Sequence, residues 1–293
     1  MSTVRPAQRG LLFLGCLLAF VRWEPAPYDL FLIIIFLLYA RGLTWKSYQL
    51  VFVVLLGPLL FTHVPALGAA LEVAPERTLY YSLVTLYLAL SSVFFMSLPE
   101  RSVPLLLLGY EVGALLSGLL GVLAFLRIPG LEDLLWGGSR AVAFFKDPNV
   151  FGAFLIPALF LALARLEQGR KFWILPALIL FLGVLVSLSR GAWANFAVAL
   201  LAWWLLRPRK RIWLPLVLLT LAGGVGISVV VMPDNPIVQR LGFMPYDKER
   251  FFTQMEALSL ALTQPLGYGP GLSEIHLSYA THNTYVRFLA EVG

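Results

Sequence analysis

Four short stretches of this chain bring together side chains that can grip a charged substrate or move a proton. In SLSRGAW, residues 187–193, Arg190 stands at a tight turn between two apolar runs. A guanidinium is a planar fork of donors that matches the oxygens of a phosphate. The alternative use of such an arginine is to carry its charge to a membrane interface along an apolar stem. In DKER, residues 247–250, Arg250 falls in the first turn of an expected helix over 248–263, with Asp247 as its N-cap. Unpaired N–H groups and the helix dipole favour an anion there. The alternative is a solvated arginine in a charged run. Arg240 is a weaker candidate of the same kind.

His282 and Asn283 stand just before the last apolar segment. An imidazole titrates near neutral pH and serves as a general base; it also caps helices at interfaces. His276 has no distinctive neighbours, and His63 reads as an interfacial residue. The fourth stretch, FKDPNVFG at 145–152, contains Asp-Pro-Asn, a signal for the start of a helix. Asn149 is therefore read as shaping a site rather than reacting.

The remaining chemistry is sparse. The single cysteine, Cys16, lies in an apolar block, so neither an internal disulfide nor a Cys/His metal cluster is available. There is no Asp-x-Asp pair, no P-loop, no Gly-x-Gly-x-x-Gly, no Gly-x-Ser-x-Gly and no His-Glu-x-x-His. Glu132 and Asp133 are adjacent and would diverge on a helix, and Glu111 reads as a buried polar contact inside an apolar segment. Neither a metal nor a cofactor is expected.

These residues are carried by an unusually apolar chain of 293 residues, 59% hydrophobic and 13% charged. A soluble domain carries about 25% charged residues. Apolar residues come in blocks, and a helix needs about 20 of them to cross a bilayer. The expected fold class is therefore an all-α integral membrane protein with about ten transmembrane helices. The expected segments are 10–22, 28–41, 48–63, 79–98, 103–126, 149–165, 172–187, 191–206 and 212–232, with a tenth beginning near Asn283. Breaks fall at prolines, among them Pro65, Pro99, Pro208 and Pro233. Arg5 and Arg9 before the first apolar run resemble a signal peptide, but no small-x-small cleavage site follows, so the first helix is read as retained.

The net charge of +6 would hint at nucleic acid in a soluble protein. Here the basic residues sit in short loops between apolar blocks, which sets topology instead and argues against a nucleic-acid partner. With the N-terminus in the cytoplasm, the inside loops hold 12 Lys/Arg in 33 residues and the outside loops 9 in 97. That contrast puts loop 233–281, with its short helix, on the outer side. In that helix Phe252, Met255, Ser259 and Leu262 share one face that could lie on the membrane. Residues 282–293 are too few to cross a bilayer at about 1.5 Å per residue, so the chain is expected to continue beyond Gly293.

Taken in order, the four stretches resemble the O-antigen ligase and polymerase family. They are FKDPNVFGAF at 145–154, SLSRGAW at 187–193, an arginine-opened helix ending in QPLGYGPG over 250–271, and HNTYVRFLAEVG at 282–293. The last fits the family's terminal pattern of His, then Asn, Ser or Gln, nine residues, then Gly. The resemblance covers about residues 140–293, a ligase-like core that follows N-terminal membrane helices over 1–139. It implies a many-pass inner-membrane protein with a periplasmic active face. The implied donor is a glycan on undecaprenyl diphosphate, and the implied acceptor is lipid A–core or another glycan. The implied reaction is metal-independent, inverting glycosyl transfer. The roles it carries over are diphosphate binding for Arg190, Arg250 and Arg240, catalytic base for His282, and shaping of the site for Asn149 and Asn283.

Two other readings stay open on sequence alone. A transporter or flippase would suit the helix number, but such proteins often carry internal repeats and midplane broken helices. No repeat is visible, and the polar residues gather on one side. A scaffold subunit of a polysaccharide assembly would tolerate loss of Arg190 and His282.

Overall fold

A computed structural model describes residues 6–39, 43, 45–206, 245–277, 281 and 283–292. The expected segment 212–232 lies outside the described residues. The fold is mostly helical and divides into two compact units, one from Met1–Arg41 and Glu100–Gly242, the other from Gly42–Pro99 and Phe243–Gly293.

The first unit holds α1 (Pro6–Leu17), α2 (Pro27–Tyr39), α5 (Val103–Phe125), α6 (Pro148–Glu167), α7 (Ile174–Val186) and α8 (Arg190–Leu206). Its spine is α5, whose buried face is small: Gly109, Gly113, Ala114, Ser117, Gly118, Gly121 and Ala124. Small residues let helix backbones close up where lipid gives no hydrophobic drive for association. A Cβ at Gly109 would stand 1.9 Å from the Leu12 carbonyl oxygen, and one at Gly113 2.6 Å from that of Cys16. So α1 lies directly on the glycines. Next to them, the Glu111 carboxylate meets Arg165 of α6 at 2.6 Å, and that guanidinium covers the Trp173 ring at 4.1 Å. The expected buried contact of Glu111 is this ion pair.

Pro157 interrupts the α6 ladder. One residue later Ala158 N–H donates to the Tyr110 hydroxyl at 3.2 Å, and that hydroxyl donates to the Phe154 carbonyl. A proline in a helix interior removes a donor and pushes the turn apart; the tyrosine fills the opening with a donor and an acceptor.

The second unit holds α3 (Ser47–Val73), α4 (Pro75–Ser97), α9 (Pro245–Thr263), α10 (Ser273–His276) and α11 (Thr284–Val292). The start of α3 is sewn to the end of α4: Gln49, fully buried, donates to Ser97 Oγ at 2.6 Å, and Lys46 Nζ donates to the Leu98 carbonyl at 3.0 Å.

Among the described residues, three helices are long and apolar enough to cross a membrane: Pro75–Ser97, Glu100–Phe125 and Pro148–Glu167. Shorter apolar helices cover Pro27–Tyr39, Val64–Val73 and Lys171–Val186. Large apolar side chains such as Leu37 and Leu262 are exposed at 69% and 78%, compatible with a lipid environment.

The elements depart from the sequence reading at several helix ends, among them α1, which runs Pro6–Leu17 rather than 10–22. Pro65 does not end α3, which runs on to Val73 and leaves only Ala74 before α4. The apolar residues on both sides of Pro65 keep the helix going at the cost of one ladder bond. The helices are also joined by a short antiparallel hairpin, β1 (Leu135–Trp136) and β2 (Arg140–Ala141). Gly137 and Gly138, both at positive φ, close it with a Ser139 N–H to Trp136 carbonyl bond of 3.2 Å. Finally, α9 begins at Pro245 rather than Lys248. A proline lacks only an N–H that the first turn leaves unpaired anyway, so it starts a helix well.

Candidate active site

The first unit builds its site around the turn between α7 and α8. Ser187, Leu188 and Ser189 are buried, and Leu188 takes a φ of +49°. A non-glycine residue there is strained by about 1–3 kcal/mol. Two serine hydroxyls hold the conformation. Ser187 Oγ donates to the Val184 carbonyl at 2.7 Å and accepts from Ser189 N–H at 3.2 Å. Ser189 Oγ accepts from Ala192 N–H at 3.1 Å and so caps α8. Trp193 Nε1 adds a bond of 3.2 Å back to the Val184 carbonyl. Arg190 is the first residue of α8 and is partly exposed.

The start of α6 packs against this turn. Asp147 caps the helix by accepting from Asn149 N–H, and Pro148 follows at the first helical position, as Asp-Pro-Asn foretold. Phe145 and Phe151 of the same stretch are core residues with ring centroids 5.8 Å apart. Gly152 is the contact point: a Cβ there would stand 2.6 Å from Ser187 Oγ and 2.8 Å from Ala192 Cβ. Across the top lies Arg140 of β2. Its Nε donates to the Ser187 carbonyl at 3.1 Å and its Nη2 to Asn149 Oδ1 at 3.1 Å.

The second unit carries Arg250, Asn283 and the glycine-rich loop. Arg250 is the sixth residue of α9 and partly buried, so it stands in the second turn, not the first. Asp247 is correspondingly not the N-cap but the third helical residue, nearly buried at 7% exposure. The earlier start at Pro245 moves both by most of a turn. The face with Phe252, Met255, Ser259 and Leu262 is exposed, while Thr253 and Ala257 are buried. Ala257 packs with Leu277 and with Ala290 of α11.

Residues 264–271 fold back onto α11. Tyr268 N–H donates to the Ala290 carbonyl at 3.0 Å and Gly269 N–H to the Glu291 carbonyl at 2.8 Å. Gly267 and Gly269 have positive φ, and a Cβ on either would collide, with Glu291 backbone at 2.3 Å and Ala70 Cβ at 2.3 Å respectively. Arg77 of α4 donates to the Gly271 carbonyl at 2.7 Å and pairs with Glu274. The other end of α11 is capped by Asn283, whose Oδ1 accepts from Tyr285 N–H at 3.1 Å and Val286 N–H at 3.3 Å. Glu291, 2% exposed, accepts from Ser273 Oγ at 2.6 Å, with Arg287 Nε 3.8 Å away. His282 and Arg240 lie outside the described residues.

A family model described as O-antigen ligase matches residues 175–293. This stretch is therefore similar to the O-antigen ligase family. No curated protein and no solved structure matches the chain. The match supports a glycan-transfer role in O-antigen and lipopolysaccharide biosynthesis, with a glycosyltransferase-like ligase or polymerase activity. It also implies a lipid-linked glycan donor and an acceptor.

The matched stretch begins one residue into α7, so it takes in Arg190, Arg250, His282 and Asn283 and leaves Asn149 upstream. Sequence reasoning missed Arg140, which links Asn149 to the matched stretch, and Glu291, which ties α11 to α10. For Arg140 the only signal was the Gly137-Gly138 pair that folds its strand back. For Glu291 it was a charged residue inside an apolar final segment.

Proposed function

We propose that this chain is a member of the O-antigen ligase family and a multi-pass inner-membrane glycosyltransferase with about ten membrane segments, its N-terminus cytoplasmic and its active face periplasmic. It transfers a glycan from undecaprenyl diphosphate to a hydroxyl of lipid A–core or of another glycan. The acceptor oxygen attacks the anomeric carbon, the bond from that carbon to the diphosphate oxygen breaks, and the configuration inverts. His282 takes the acceptor's proton. Arg190 and Arg250, with Arg240, bind the departing diphosphate.

The observation that carries this reading is the family match across the stretch that holds Arg190, Arg250 and His282. The physical chemistry agrees with it. Diphosphate is a good leaving group, so the growing charge needs fixed cations more than a general acid. A base of near-neutral pKa suits a hydroxyl acceptor. The exposed stripe Phe252, Met255 and Leu262 on α9 suits a helix lying on the membrane, where the donor's lipid tail is held.

The test is transfer of a lipid-diphosphate-linked glycan by purified protein in detergent with EDTA, for the wild type and His282→Ala. Transfer that survives EDTA and is lost in the variant is expected. No transfer by the wild type to lipid, glycan or protein acceptors refutes the proposal and favours the transporter or scaffold reading.

A further inference from the structure

The β1–β2 hairpin brings one arginine onto two elements that sequence treats as separate. Arg140 Nε reaches the carbonyl of Ser187, the residue that ends α7, and Nη2 reaches Asn149 Oδ1 in the first turn of α6. The last carbonyls of a helix have no partner within it, and the negative end of its dipole favours a cation there. Nε and Nη2 lie on one flat edge of the guanidinium, so the two acceptors are held in a fixed relation. Ser187 is also where the strained turn begins, one residue before Leu188 at φ +49° and three before Arg190. Its hydroxyl is engaged on both sides, by Val184 and by Ser189. Its carbonyl is the point at which the hairpin and α6 take hold of the turn.

We propose that Arg140 is a positioning residue: it holds the 187–190 turn against α6 and so sets where Arg190 presents its guanidinium to the donor diphosphate. The catalytic half of this rests on the proposed function; the tether itself does not. Shape matters here more than charge. A lysine keeps the cation but offers one ammonium on a flexible stem, which does not bridge two acceptors in a plane.

The experiment pairs a structural readout with a kinetic one on the full chain, in wild type, Arg140→Lys, Arg140→Ala, Arg190→Ala and the Arg140→Ala/Arg190→Ala double variant. Hydrogen exchange is followed at the Ser189 and Ala192 amides, with amides in α4 as a control for overall folding. Exchange at the turn is expected to rise about tenfold in both Arg140 variants, the scale of one net hydrogen bond, with α4 unchanged. In the transfer assay, donor KM and kcat are measured separately. Arg140→Lys is expected to behave like Arg140→Ala, and the double variant to be no worse than Arg190→Ala alone.

Unchanged exchange at the turn overturns the proposal. So does rescue of transfer by lysine, which would make Arg140 a second phosphate contact, or losses that multiply in the double variant. A loosened turn together with a wild type that transfers nothing supports the tether and refutes the enzymatic reading instead.

Discussion

Gly267→Ala should detach the glycine-rich loop from α11, and the structure sets the scale. Two effects add at this position. Gly267 has a φ of +74°, and a side chain in that region costs about 1–2 kcal/mol. The new methyl would also stand 2.3 Å from the carbonyl carbon and oxygen of Glu291 and 2.4 Å from Val292 N. These are backbone atoms, so no rotamer relieves the overlap and the loop must move. Moving it breaks the Tyr268 and Gly269 N–H bonds to α11, each worth about 0.5–1.5 kcal/mol. The expected local loss is about 2–5 kcal/mol. Gly169 is the control, with φ +84° and nothing within 4 Å of its would-be Cβ. Gly169→Ala should therefore cost the conformational part alone, about 1–2 kcal/mol. Hydrogen exchange at Tyr268 and Gly269 reads the first effect, and denaturant unfolding in detergent compares the two variants. Equal stability of the two, with protection at Tyr268 and Gly269 retained, would refute the argument that backbone contact fixes this loop.

Two further variants test the buried polar contacts. Tyr110→Phe removes the hydroxyl between Ala158 N–H and the Phe154 carbonyl; it should cost about 1–3 kcal/mol by stranding them, read as unfolding in detergent, and a neutral result would mean that α6 closes over Pro157 unaided. Glu291→Ala should cost about 1.5–3 kcal/mol through loss of the charged acceptor for Ser273, whereas Glu291→Gln keeps an acceptor and should cost less; equal losses would show that charge rather than the Ser273 bond is what counts.

What could be read from the sequence was what is encoded within a few residues. Asp147-Pro148-Asn149 starts α6 because capping is a contact across two residues. The turn at 187–190 is local in the same way, its serines bonding two and three residues on. The exposed stripe of α9 followed from helical spacing alone. Contacts with distant backbone left no such trace. The acceptor for Arg140 is a main-chain carbonyl 47 residues away, and any residue type at 187 would supply one. The same holds for Gly109 and Gly113 of α5, whose partners are carbonyls of α1. The end of α3 and the start of α9 were misplaced because proline weighs differently at the first position and in the interior of a helix, and sequence alone does not say which applies.

The contacts also sort the motif residues by task. In SLSRGAW the serines are bonded to backbone and Trp193 is bonded to Val184. In QPLGYGPG the glycines supply conformations and close approaches that no side chain permits. Asn283 caps α11, and Glu291 anchors its other end. A strained Leu188 is costly, and a chain that needed only to span lipid would gain nothing from it. Such geometry is useful where a particular side chain must be held in place, and Arg190 follows directly from the strained turn. The same reasoning applied to α11 directs attention to its capped N-terminal end, where His282 adjoins Asn283 in the sequence. The work of these turns is then orientation, and under the proposed function a variant that keeps Arg190 and His282 but relaxes the turns should bind donor and fail to transfer it at the normal rate.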